Sequence, residues 1–298
     1  MAVAMVIGNG MLIHVTLSHK RLRTVTNYLV LSLAVSDFLV GCLIVPLIVA
    51  AEEGVFGSSP WVCLQVFSVA IALILVTCLT MMAIAIERFI AITKPLKHHT
   101  WMTPRNVFVM ILACWLYSAI IGCLPMLGWN AIIEDSTVNH EGRVIAVPDC
   151  RYQNVMAGSF VAFTYPGHFI PLWVVFIILY SKIYLRTRNQ TCKDKVRRWS
   201  SSMQARKYSV GRMRENWRAL RILAIVVGSF LFSWMPVVIW YCLLYRGFTV
   251  EIVHGLQTNL PYWFYNLGIT MAFGNSAVNP FLYGFGNRSV RKAWVGFI

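Results

Sequence analysis

Few residues in this chain could do chemistry, and they stand against apolar surroundings. Asp37 lies midway along an apolar run and is the only acid in the upper or middle part of any such run. An ionised carboxylate is costly there unless something partners it. Two chemistries answer the cost: a neutral acid hydrogen-bonded to its neighbours, or a carboxylate that joins Thr77, Asn275, Ser276 and Asn279 as oxygen ligands of a sodium ion. A second charged feature, Glu87-Arg88, closes another apolar run. An arginine in such a place is ordinarily one that snorkels to the interface. The eight cysteines show no CxxC pair and no metal-ligand spacing.

What positions these residues must be lipid-embedded. Apolar residues make up 58% of the chain and charged residues 12%, with a mean hydropathy of +0.65. Soluble domains carry about 25% charged residues. A helix needs about 20 mostly apolar residues to cross a bilayer. Six segments meet that: Tyr28–Val49, Val62–Ile86, Val107–Leu127, Phe160–Tyr184, Ala219–Leu244 and Tyr262–Tyr283. A shorter one, Met1–Leu17, precedes them. It reaches only about 25 Å at 1.5 Å per residue, short of the roughly 30 Å hydrocarbon core, so the first helix is expected to be truncated. Pro46, Pro171, Pro236 and Pro280 fall inside spans, where a bundle can satisfy the carbonyls they free. The expected fold is an all-α membrane protein, a seven-transmembrane helix bundle over 1–285. Val290, Trp294 and Phe297 then recur at helical spacing among Arg288, Arg291 and Lys292, so 286–298 is expected as a short amphipathic helix on the membrane surface.

The net charge of +15 is a topology signal rather than a nucleic-acid surface. With seven spans, one side collects Lys20, Arg21, Arg23, Arg88, Lys94, Lys97, Arg105, the basic run from Lys182 to Arg218, and the tail's Arg288, Arg291 and Lys292. The other side keeps Arg143, Arg151 and Arg246 among seven acids. Basic loops stay in the cytoplasm. The N-terminus is therefore expected outside and the C-terminus inside, at the plasma membrane. A nucleic-acid binder would need a basic patch on a folded soluble face, and the sequence shows none.

Motifs now accumulate in order. Gly8-Asn9 lies in the first span and Ser32-Leu33-Ala34-Val35-Ser36-Asp37 in the second. Cys63 opens the third, which closes on Glu87-Arg88-Phe89. Trp115 lies in the fourth and Pro171 in the fifth. The sixth carries Phe230-Leu231-Phe232-Ser233-Trp234-Met235-Pro236, and the seventh ends Asn275-Ser276-Ala277-Val278-Asn279-Pro280-Phe281-Leu282-Tyr283. This ordered set resembles rhodopsin-like (class A) G protein-coupled receptors. Within them, Pro125-Met126-Leu127-Gly128-Trp129-Asn130, Thr103-Pro104-Arg105 and Gly274-Asn275-Ser276-Ala277 are similar to adenosine receptors. The second extracellular loop matches in part, with Cys150-Arg151-Tyr152-Gln153 where those receptors have Cys-x-Phe-Glu.

The resemblance implies a receptor and not an enzyme, with an extracellular small molecule and a heterotrimeric G protein as partners and no cofactor beyond a sodium ion. It favours the ion-site reading of Asp37, Thr77, Asn275, Ser276 and Asn279. Glu87 would hold Arg88 in the inactive state, with Phe89, Phe230, Pro236, Pro280 and Tyr283 completing the activation switch. Cys63 and Cys150 both fall outside, in an oxidising compartment, and are expected to pair. Tyr152, Gln153, Trp234, Tyr241 and Phe273 are the candidate ligand contacts, and Tyr152 could stack on a flat ring.

Three departures bear on the ligand. Adenosine receptors carry in the sixth helix an Asn that bonds adenine, and Tyr241 stands there. Their sixth-helix His is Val238, and their seventh-helix His is Phe273. A phenol offers one hydroxyl where an amide offers a donor and an acceptor. Ala70 occupies the place of the amine receptors' aspartate, which argues against an amine. Adenosine or a related purine is the first expectation, and a different non-amine ligand the second. Two departures touch the switch. The family's fifth-helix tyrosine falls on Leu179 with Tyr180 following, through a one-residue bulge or a lost contact with Tyr283. At the base of the sixth helix Asn216 stands in the acid's place, with Glu215 one residue off, so raised basal activity is expected. The rivals are a truncated, non-signalling relative, supported by the short first span, and a seven-helix transporter. The latter would need ionisable residues in several spans or paired broken helices.

Overall fold

A computed structural model describes residues 1–55, 59–134, 150, 152–197, 224–242 and 262–286. The amphipathic tail expected beyond 286 lies outside these, as do Glu215 and Asn216. Among the described residues every regular element is helical. The long helices are α1 (Ala2–Ser18), α2 (Val25–Ala51), α3 (Pro60–Thr93), α5 (Pro104–Cys123), α8 (Gly158–Asn189), α9 (Ala224–Cys242) and α10 (Tyr262–Gly286). Short helices fill the joins: α4 (Pro95–Trp101) between α3 and α5, and α6 (Ala131–Glu134) and α7 (Tyr152–Val155) between α5 and α8. Five of the long helices, α2, α3, α5, α8 and α9, are long and apolar enough to cross a membrane.

The helix ends follow local chemistry. Thr24 and Thr103 cap α2 and α5 by accepting hydrogen bonds from the Asn27 and Asn106 backbone N–H groups, and Pro104 supplies the preset φ of a first helical position. Helix α3 runs seven residues beyond the predicted Ile86 and stops at Lys94, whose backbone leaves the helical region just before Pro95, as the residue ahead of a proline tends to do. The overrun keeps Glu87, Arg88 and Phe89 on regular helix.

Two π turns mark prolines. Val40–Ile44 immediately precedes the turn with Pro46, and Tyr165–Phe169 the turn with Pro171. A proline ring clashes with the carbonyl four residues back, here on Cys42 and Gly167. A wider turn around those carbonyls relieves the clash and shifts the helix face.

Helix α3 is the axis. Of its most apolar stretch 72% is buried, against 22% for α5 at the rim. It packs on α2, α5 and α8, while α1 packs on α2 and α10. Gly122 lets α5 close on α3, since a Cβ there would sit 2.6 Å from Ala72 Cβ. Phe108, Ile120, Ile177 and Phe232 point outward, while Asn9, Asp37, Thr77, Asn275 and Asn279 are buried. Apolar outside and polar inside is the distribution lipid requires.

Candidate functional site: a polar core, an arginine clamp and an aromatic column

The polar core forms where α2, α3 and α10 meet. Asp37 is fully buried. Its Oδ1 accepts from Ser276 Oγ at 2.7 Å and Thr77 Oγ1 at 3.4 Å, and its Oδ2 from Asn279 Nδ2 at 2.8 Å. The Ser36 hydroxyl lies 3.1 Å from that of Thr77. Asn275 enters from the α9 side, where its Oδ1 accepts from Ser229 Oγ at 3.3 Å. Asn9 ties α1 in by donating to the Met5 and Ser276 carbonyls. No basic side chain pairs with Asp37 among the described residues, and Asn279 Oδ1 is buried without a hydrogen-bond partner among them. A buried carboxylate ringed by hydroxyl and amide oxygens, one of them unspent, is the donor set a hard cation takes. The residues present fit a sodium ion.

The arginine clamp lies at the far end of α3. Arg88 donates Nε–H to Glu87 Oε2 at 2.5 Å and Nη2–H to Oε1 at 2.9 Å, and its Nη2 also bonds Thr26 Oγ1. Thr26 itself donates to Glu87 Oε1 at 3.2 Å. His98, from α4, places Nε2 2.9 Å from the same Oε1. Glu87 is fully buried. Phe89 packs with Ile92, Ile183 and Tyr180. Tyr180, not Leu179, stands within electrostatic range of both Arg88 and Tyr283, so the one-residue offset in α8 keeps a phenol at the clamp.

At the opposite end the Cys63–Cys150 disulfide, with 5.6 Å between the Cα atoms, pins Cys150, just ahead of α7, onto the start of α3. Trp129 supports the same end: Gly128 has φ 118°, open mainly to glycine, and turns the Trp129 Nε1–H onto Ser159 Oγ at 2.7 Å. The disulfide holds Tyr152 over a run of rings. Tyr152 meets Phe67 edge-on at 5.3 Å, Tyr241 at 5.4 Å and Tyr165 at 6.2 Å between centroids. Tyr165 lies 4.3 Å from Tyr241 and stacks on Phe169 at 5.8 Å. Phe169 contacts Trp234 at 5.0 Å and Phe230 at 6.5 Å, and Phe230 reaches Phe176. Tyr241 Oη donates to Tyr265 Oη at 3.4 Å, joining α9 to α10.

The column gathers Tyr152, Tyr241 and Trp234 but not Phe273. That ring packs with Met5, Val40, Ile44, Ala70 and Leu73 in a separate apolar cluster. The side chain of Gln153 lies outside the described residues. Pro236 abuts α10, where a Cβ on Gly268 would come within 3.1 Å of its ring, and Pro280 abuts α1, where a Cβ on Gly8 would come within 3.2 Å of it. Tyr165, Phe169, Phe176 and Tyr265 were not among the sequence candidates. Tyr165, Phe169 and Phe176 do recur at one-face helical spacing, a signal that reads equally well as ordinary core.

This geometry defines a seven-helix membrane receptor. Residues 8–283 match the family described as 7 transmembrane receptor (rhodopsin family), and the chain belongs to it. Its members are signalling receptors of the plasma membrane, not enzymes. More narrowly, the chain is similar to the adenosine receptors. It is 29% identical to human adenosine receptor A2a over 301 residues, covering 98% of this chain and 69% of the relative. It is 27% identical to human adenosine receptor A2b, covering 96% and 83%. The octopamine receptor beta-1R of Drosophila melanogaster is 27% identical, covering 98% and 58%.

Proposed function

We propose that this receptor binds a flat aromatic small molecule of purine type from outside the cell and signals to a heterotrimeric G protein through Arg88. The ring column carries this reading. It runs without a break from Tyr152, tethered beside the disulfide, to Trp234 and Phe230 in the middle of the bundle. A flat ligand stacking on Tyr152 displaces Tyr241 or Tyr165, and the displacement reaches Trp234 through Phe169. Tyr152, Tyr165 and Tyr241 are buried against one another, so they must part to admit a ligand. Ligand then biases a two-state bundle by its differential affinity for the two states, and α9 swings about Pro236. Adenosine is the first candidate from the relatives' names. Ala70 offers no carboxylate for the amine of an octopamine-like ligand. The basic side of the chain supports a cytoplasmic placement of the Arg88 end, with the disulfide end outside. In the ligand-free state Asp37, Thr77, Ser276 and Asn279 would hold a sodium ion, which supplies the missing countercharge and draws α2, α3 and α10 together.

The test is a purine panel applied to cells expressing the receptor, with G protein activation as readout. A purine that activates the wild type and loses activation with Arg88→Ala, while still binding, supports the reading. Binding by no member of the panel overturns the ligand class.

A further inference from the structure

We propose that His98 is a positioning residue for the arginine clamp, and that its protonation favours release of Arg88, which makes coupling sensitive to cytoplasmic pH. The inference rests on the reading of Arg88 as the G protein switch. It starts from crowding at one atom: Glu87 Oε1 receives Arg88 Nη2 at 2.9 Å, Thr26 Oγ1 at 3.2 Å and His98 Nε2 at 2.9 Å. Facing a carboxylate, that imidazole nitrogen must carry a proton, in either the neutral tautomer or the imidazolium. Glu87 is fully buried, and the His98 side chain is 20% exposed, which leaves it in exchange with solvent. Histidine is the side chain whose charge ordinarily changes between about pH 5 and 8.

The sign follows from charge counting. With Arg88 in place, an imidazolium at His98 faces a carboxylate already paired with a guanidinium, and repels that guanidinium across the shared oxygen. With Arg88 withdrawn, it faces a buried carboxylate with no other cation. The attraction is larger in the second state, where a charge-assisted hydrogen bond replaces the lost ion pair. The proton therefore binds His98 more tightly once Arg88 has left, and by reciprocity the bound proton promotes that departure. The other charged and titratable neighbours are His99, whose ring centroid is 5.7 Å from that of His98, and Lys94 and Lys97, whose ammonium groups both sit 5.3 Å over Trp101. Tyr180 from α8 and Tyr283 from α10 face Arg88. A lysine ordinarily titrates far above this range, which leaves His98 as the changing group, with His99 as the control.

The experiment measures basal nucleotide exchange on a G protein in open membrane fragments between about pH 8 and 6, for wild type, His98→Gln, His99→Gln and Glu87→Gln. Wild type and His99→Gln should gain roughly fivefold in exchange relative to His98→Gln as pH falls, the low end of typical coupling. Parallel profiles for wild type and His98→Gln overturn the proposal. A second measurement, imidazole NMR of the purified receptor, needs no G protein. The His98 titration midpoint should move upward in Arg88→Ala. A midpoint unmoved or lowered also overturns it. Exchange in Glu87→Gln no higher than in wild type at any pH would instead count against the Arg88 switch itself, and the NMR shift would then decide the His98–Arg88 coupling alone.

Discussion

The two halves of the bundle are built from different materials. The half that runs from Asp37 to Arg88 holds two polar clusters: a carboxylate with hydroxyls and amides across α2, α3 and α10, and a guanidinium–carboxylate pair joined to α2. From Trp234 to Tyr152 it is aromatic, ring against ring, with Tyr241 bonded to Tyr265 between α9 and α10. Hydrogen bonds prescribe partners and angles, whereas stacked rings tolerate many occupants. The polar half can thus run one switch with definite end states, while the aromatic half fixes the shape of a ligand more than its functional groups. The family likeness is densest in the first half, and the departures at Tyr241 and Phe273 fall in the second.

That contrast can be broken from either side. The largest effect belongs to the mouth. Cys150→Ala should cost about 2–5 kcal/mol, the usual loss on removing a disulfide from a domain that depends on it, and surface expression should collapse. Undiminished surface receptor would show that Tyr152 needs no tether. Next comes the polar core. Sodium, compared with a bulky organic cation, should raise the melting temperature of the ligand-free wild type and leave Asp37→Asn unmoved. Saturation at tenfold above the dissociation constant is worth about 1.4 kcal/mol. An equal response in both proteins would remove the ion from the site.

Smaller effects sharpen the comparison. Tyr241→Phe keeps the ring and deletes the bond to Tyr265, which should cost about 0.5–1.5 kcal/mol and loosen α9 from α10, read as raised basal signalling. Unchanged basal signalling and stability would make the column purely a packing device. Smallest, Ser32→Ala removes the acceptor of Trp115 Nε1–H, 3.0 Å away at the half-buried α2–α5 contact. A thermal shift corresponding to about 1 kcal/mol is expected, with no change in ligand preference.

Much of this was legible in the sequence, for physical reasons. Apolar runs of membrane length expose the long helices, and Asp37 stands out as the only acid in the upper or middle part of any run. The end of α3 was read too early, since Glu87 and Arg88 look like a boundary until the helix is seen to continue to Lys94. The π turn at Tyr165–Phe169 was not foreseen, because an extra residue per turn leaves no compositional mark. The choice at Leu179 and Tyr180 was left open by the sequence, and the packing sets Tyr180 beside Phe89, Ile92 and Ile183. His98 was invisible, because its contact with Glu87 depends on a two-turn helix folding back under α3. Phe273 was grouped with the tyrosines by its place in the chain, and the packing puts it with Met5 and Ala70 instead.

The most direct measurement is adenosine affinity in four proteins: wild type, Tyr241→Asn, Phe273→His and Tyr152→Ala. In the wild type adenosine should bind weakly, since each missing polar contact costs roughly 0.5–1.5 kcal/mol. Tyr241→Asn should restore affinity, because Tyr241 touches Tyr152 directly. Phe273→His should restore less, because that ring packs in the other cluster. Tyr152→Ala should remove binding. Tight adenosine binding by the wild type that neither replacement improves and Tyr152→Ala leaves intact would contradict the aromatic column as the ligand's site.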